Sequence, residues 1–142
     1  MSLSSPQLVS AQLALASDAL GDHAISCGYQ GERIARHDSL RDALFHTAQQ
    51  GCLGPTREDR ALLPGSEARP ADVLIPHWTD GRDTALDVTV VNPLQEKLVR
   101  QAATTPGHAL TTAYNRKMAQ AGEACRREGL VFIPLPMETL GG

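Results

Sequence analysis

Apolar positions along the chain change period several times, and each change marks a different element. Leu40, Ala43, Leu44 and Ala48 recur at helical spacing, with Ser39 as an N-cap, Asp42 three residues on and Gly51 as the stop. A helix over about 39–50 follows. From Ala71 to Trp78 and from Thr84 to Asn92 the chain turns β-branched, and a polar turn containing Asp80-Gly81 joins the two runs. That pattern predicts a hairpin. Pro93 ends the second strand. Helical segments are expected over Leu94–Ala103 and Gly107–Glu128, split by Thr104-Thr105-Pro106-Gly107, with Gly129 as C-terminal cap and Leu130–Leu135 as a final apolar strand. Residues 21–37, with Gly21, Gly28 and Gly31, read as loop, as does the stretch from Gly54 to Pro70, which has room for a short edge strand. Residues 1–20 read as a weakly helical or disordered leader.

The predicted order of helix, edge strand, hairpin, helices and strand implies an α/β fold. It has a small mixed sheet with a central β-hairpin flanked by helices, buried mainly on one face. At 142 residues the chain supports one domain with a real core and is too short for two well-stabilised ones. We place that domain at residues 38–142.

The hairpin carries two aspartates, and its register decides whether they act together. With Asp80-Gly81 as a two-residue loop, Thr79 pairs with Arg82. A constant pairing sum then sets Asp72 opposite Thr89 and Asp87 opposite Leu74. Both carboxylates fall on one face as diagonal neighbours, roughly 7–8 Å apart at the backbone. Val73, Ile75, Leu86, Val88 and Val90 face the other way. A loop longer by one residue would split the aspartates across the sheet. Two carboxylates on one face are a hard-oxygen site for Mg²⁺ or Mn²⁺, with water and phosphate completing the shell.

The formal net charge is -3, so a nucleic acid would have to be gripped locally. Two basic groups are available for that, Arg33, Arg36 and Arg41 in one and Arg116, Lys117, Arg126 and Arg127 in the other, although solvated helix faces give the same pattern. Three cysteines, Cys27, Cys52 and Cys125, lack a disulfide framework spacing, and the N-terminus has no secretory pattern. These features place the chain in a reducing intracellular compartment, nuclear or cytoplasmic, and no apolar run is long enough to span a bilayer.

The run Arg69-Pro70-Ala71-Asp72-Val73, followed by Leu86-Asp87-Val88-Thr89-Val90, resembles the restriction-like endonuclease domain of PD-(D/E)XK type at the end of early-branching non-LTR retrotransposon polyproteins. Gly21-Asp22-His23-Ala24 to Cys27-Gly28 resembles half of its upstream zinc knuckle, and Arg36-His37-Asp38 resembles its Arg-His-Asn helix start. Asn115-Arg116-Lys117, Cys125 and Phe132-Ile133-Pro134-Leu135 to Glu138-Thr139 follow in order. The resemblance implies a metal-dependent DNA endonuclease. Asp72 and Asp87 would be metal ligands and catalytic residues, and Arg36, His37, Arg69 and Arg116 would contact nucleic acid. An inactive remnant kept as a nucleic-acid-binding or interaction domain is the alternative, as is an unrelated interaction module in which Lys117 lies away from the aspartates. The oligomeric state is open, with a homodimer allowed. The final Gly141-Gly142 fits a fragment of a longer reading frame.

The sequence departs from the family in three places. Ala71 separates Pro70 from Asp72, Thr89 stands where the family has lysine, and residues 1–20 hold no Cys or His. For the missing lysine we nominate Lys117, which falls within the arc of an apolar stripe formed by Leu110, Tyr114, Met118, Ala121 and Cys125. His23 and Cys27, even with His37, are too few to hold structural zinc, so no stable zinc is expected.

Overall fold

The computed structural model describes residues 30–57, 63, 65 and 70–139. The leader, the zinc-knuckle residues His23 and Cys27, and Arg69 lie outside the described residues.

The first helix, α1 (Gln30–Gln50), begins well before Ser39. Residues 30–37 are therefore helical where the sequence suggested loop. Ser39 does not cap: its Oγ donates to the Ala35 carbonyl at 2.8 Å, the in-helix alternative to capping. Arg36 and Glu32 add an i,i+4 ion pair to the early turns. A two-residue edge strand β1 (Thr56–Arg57) then pairs with β2 (Val73–Thr79), which pairs antiparallel with β3 (Arg82–Val91).

After β3 the chain runs through turns into a single helical turn α2 (Val99–Ala102), shorter than the helix expected over 94–103. Leu98 packs on the core while Leu94 is exposed, so the segment has little burial to sustain a longer helix. The next helical stretch consists of α3 (His108–Lys117), a π-helical turn (Met118–Gly122) and α4 (Glu123–Arg127). Gly129 closes it with φ at 76°, a conformation that costs glycine nothing. Finally β4 (Val131–Glu138) lies parallel to β3, giving a mixed sheet in the order β1-β2-β3-β4. A parallel neighbour requires a long crossover, which the helical stretch supplies.

Both faces of this sheet are covered, not mainly one. Val73, Ile75 and Leu86 pack with Leu44, Phe45 and Ala48 of α1. Leu74, Ala85 and Phe132 pack on the other side with Cys125, Met118 and Ala121. Alternating side chains along β2 and β3 serve both layers, so the strands read as nearly unbroken apolar runs. Among the described residues, no helix is long and apolar enough to cross a membrane.

The hairpin turn is the one its sequence demands. Asp80 and Gly81 have φ of 51° and 74°, the positive pair that a two-residue I′ loop requires, and Thr79 faces Arg82. Past the turn the expected pairing fails, because Pro76, His77 and Trp78 on β2 oppose Asp83 alone on β3. Pro76 has no N–H for the ladder, and His77 takes a left-handed φ of 53° with its N–H turned to Asp83 Oδ1 at 3.0 Å. Leu74 consequently pairs with Ala85 and Val73 with Leu86, which displaces the register by two residues from the expected one. An even displacement leaves every side chain on its expected face.

A candidate metal centre in a basic cleft

Asp72 stands just before β2, where its backbone N–H donates at 2.9 Å to the carbonyl of Leu86, the residue before Asp87. The even displacement leaves the aspartates on one side of the sheet instead of splitting them. Both line a cleft of about 510 Å³ between the first half of α1 and the end of α3.

Each carboxylate is held by groups from a different part of the chain. Asp72 Oδ2 accepts from the Val88 backbone N–H at 2.7 Å and lies 3.2 Å from His37 Nε2. The other ring nitrogen of His37 is 3.4 Å from Asp38. Asp87 Oδ2 lies 2.9 Å from Lys117 Nζ and accepts a long hydrogen bond of 3.4 Å from the Thr89 hydroxyl. Burial holds the Asp72 carboxyl above its ordinary range, and the nearby charge of Asp87 pushes the same way. The Val88 N–H and His37 oppose the rise without cancelling it. Cys125, fully buried behind this site, has its thiol raised by burial and by the charge of Asp87.

Lys117 reaches Asp87 from the sheet-facing row of the helical stretch. The sheet-facing row of the helical stretch is Ala109, Ala113, Lys117, Ala121 and Cys125, at a uniform spacing of four. Ala109, Ala113 and Cys125 are buried. In an α-helix each four-residue step rotates about 40° past a full turn, so such a row walks off the core. The wider i→i+5 turn over Met118–Gly122 takes up that drift, beginning at the residue after Lys117. The expected stripe was displaced by one residue in its first half, and Tyr114 is exposed. Lys117 lies inside the true row, so the alternative in which it stays away from the aspartates fails.

Of the nucleic-acid candidates, His37 and Arg116 line the cleft. Arg36 does not: it pairs with Glu32 and borders a separate groove beside Met137 and Thr139. Arg33 takes that place, a residue the sequence reading left in a generic basic group. Its signal was the i,i+4 spacing to His37, which puts both on one face once the helix begins at Gln30.

Among the described residues, no group of three or more His, Cys, Asp and Glu side chains is arranged to hold a metal ion. Two oxygen donors do suit Mg²⁺, which keeps several waters and binds through one or two carboxylates plus substrate phosphate. A cation would also relieve the unfavourable burial of charge at Asp72. No family model, curated protein or solved structure matches the chain.

Proposed function

We propose that this domain is a metal-dependent DNA endonuclease with a restriction-endonuclease-like core, descended from a non-LTR retrotransposon polyprotein. The observation that carries the reading is the convergence of Asp72, Asp87 and Lys117 on one cleft. The residue just before β2, the strand β3 and a distant helix supply the three side chains that the resemblance nominates.

Asp72 and Asp87 would hold Mg²⁺ or Mn²⁺ as oxygen ligands. A bound divalent ion polarises the phosphate and acidifies the attacking water. Lys117, already beside Asp87, donates to a phosphate oxygen and stabilises the charge that accumulates there during attack. His37 is a positioning residue that holds Asp72 in the cleft. In the reaction a water oxygen bonds to phosphorus as an ester P–O bond breaks, and the leaving oxygen takes up a proton. One water is consumed per cut.

A second reading is an inactive remnant that binds nucleic acid or protein. It is favoured by Thr89 at the family's lysine position and by Lys117 resting directly on Asp87, where it balances the carboxylate without a metal.

Incubation of supercoiled plasmid and branched DNA with Mg²⁺ or Mn²⁺ separates the two. Nicking that requires the metal and disappears in Asp72→Ala and Asp87→Ala, with both variants folded by circular dichroism, is the expected result. Absence of nicking alongside a metal-dependent rise in melting temperature supports the remnant.

A further inference from the structure

Two arginines in the cleft, the nucleic-acid candidate Arg116 and the Arg33 that takes the place of Arg36, hold no carboxylate of the site described above. Arg33 comes from α1 and Arg116 from α3, and both line the cleft of the aspartates. Both also line a smaller adjoining cavity of about 80 Å³, with Val90 common to the two spaces. They therefore stand at the junction, beyond the metal-binding end.

Their charges are surplus. Asp87 is matched by Lys117, and Asp72 is hydrogen-bonded by His37 and the Val88 N–H. Elsewhere Arg36, Arg57, Arg126 and Arg127 each pair with a carboxylate, whereas Arg33 and Arg116 form no ion pair among the described residues. Arg82 and Arg100 lack one too, but they lie outside both cavities. Among the described residues, the uncompensated arginines that share a concavity are thus the two beside the carboxylates. Guanidinium groups bind phosphate oxygens through paired N–H donors, and two arriving from separate helices can grip one phosphate from both sides.

We propose that Arg33 and Arg116 form a second subsite, for a backbone phosphate of a polynucleotide whose scissile phosphate sits at Asp72 and Asp87. The proposal rests on the nuclease reading and deepens it by defining the substrate. Val90 lies three residues beyond Asp87 on an extended strand, about 10 Å away. A mononucleotide or inorganic phosphate cannot fill both positions, whereas a polynucleotide can.

The test is the salt dependence of binding to a fluorescently labelled duplex oligonucleotide, measured by anisotropy in EDTA so that no strand is cut. Arg33→Gln and Arg116→Gln are each expected to weaken binding, and the double variant to reduce the slope of log affinity against log salt by about 0.9, the value for one phosphate. Arg33→Lys and Arg116→Lys should restore most of the slope. Arg126→Gln, whose arginine is held by Glu123, should leave it unchanged. No binding by the wild-type protein, an unchanged slope in the folded double variant, or displacement by inorganic phosphate as readily as by oligonucleotide overturns the subsite. Altered slopes without metal-dependent nicking would remove the nuclease reading and leave the subsite standing. Nicking with unchanged slopes would do the reverse.

Discussion

Replacing Lys117 with methionine should destabilise the metal-free protein by about 2 kcal/mol, between the limits for exposed and buried pairs. The Asp87 side chain is 11% exposed and that of Lys117 is 27%, with 2.9 Å between the charges. Exposed pairs contribute about 0.2–1 kcal/mol, while removing one partner of a fully buried pair costs about 3–5 kcal/mol because the other charge is left uncompensated. Here the carboxylate is nearly buried but the lysine still meets solvent, which sets the intermediate value. Thr89 offers a replacement donor to Asp87 only at 3.4 Å. At about 4 °C per kcal/mol for a domain of this size, the melting temperature should fall by about 8 °C. The measurement is urea unfolding by circular dichroism in EDTA for wild type, Lys117→Met, Asp87→Asn and the double variant. A neutral partner removes the stranded charge, so the cycle should give a coupling energy of about 1–1.5 kcal/mol. A Lys117→Met cost under about 0.5 kcal/mol, or a coupling under about 0.3 kcal/mol, would refute the reasoning, since both are within the range of a solvated surface pair.

Two further outcomes follow from the same site. Because the folded-state carboxyl of Asp72 lies above its ordinary value of 3.8, the folded protein holds the proton more tightly than the unfolded chain. Its contribution to stability is therefore present below that value and is lost as pH rises through the raised one. Asp72→Asn should remove this decline and be the more stable protein at neutral pH in EDTA, as read by urea midpoints across the acid range; an identical pH profile would contradict it. Saturating Mg²⁺ or Ca²⁺ should raise the wild-type melting temperature, with a stabilisation of about 2.7 kcal/mol at a hundredfold excess over Kd, and Asp72→Asn should lose most of that gain in differential scanning calorimetry. An equal gain in the variant would place the cation elsewhere.

Local chemistry made several features legible without a structure. The Asp80-Gly81 turn follows from which residues tolerate positive φ, the end of the long helical stretch follows from Gly129, and the sharing of one face by Asp72 and Asp87 follows from the two-residue period of a strand. The order of elements was readable for the same reason, since each element depends on periodicity within a short window.

What the sequence left open depends on distant partners. The bulge at Pro76–Trp78 exists because His77 finds Asp83 across the ladder, and local propensity carries no record of that bond. The start of α1 was hidden because its early turns are exposed and lack an apolar stripe. Tertiary packing chose the helical row that meets the sheet, and with it the placement of Lys117 beside Asp87. The choice between Arg33 and Arg36 as the arginine in the cleft was settled in the same way. Secondary structure is written in short-range patterns, whereas the assembly of a site is written in contacts between residues far apart in the chain.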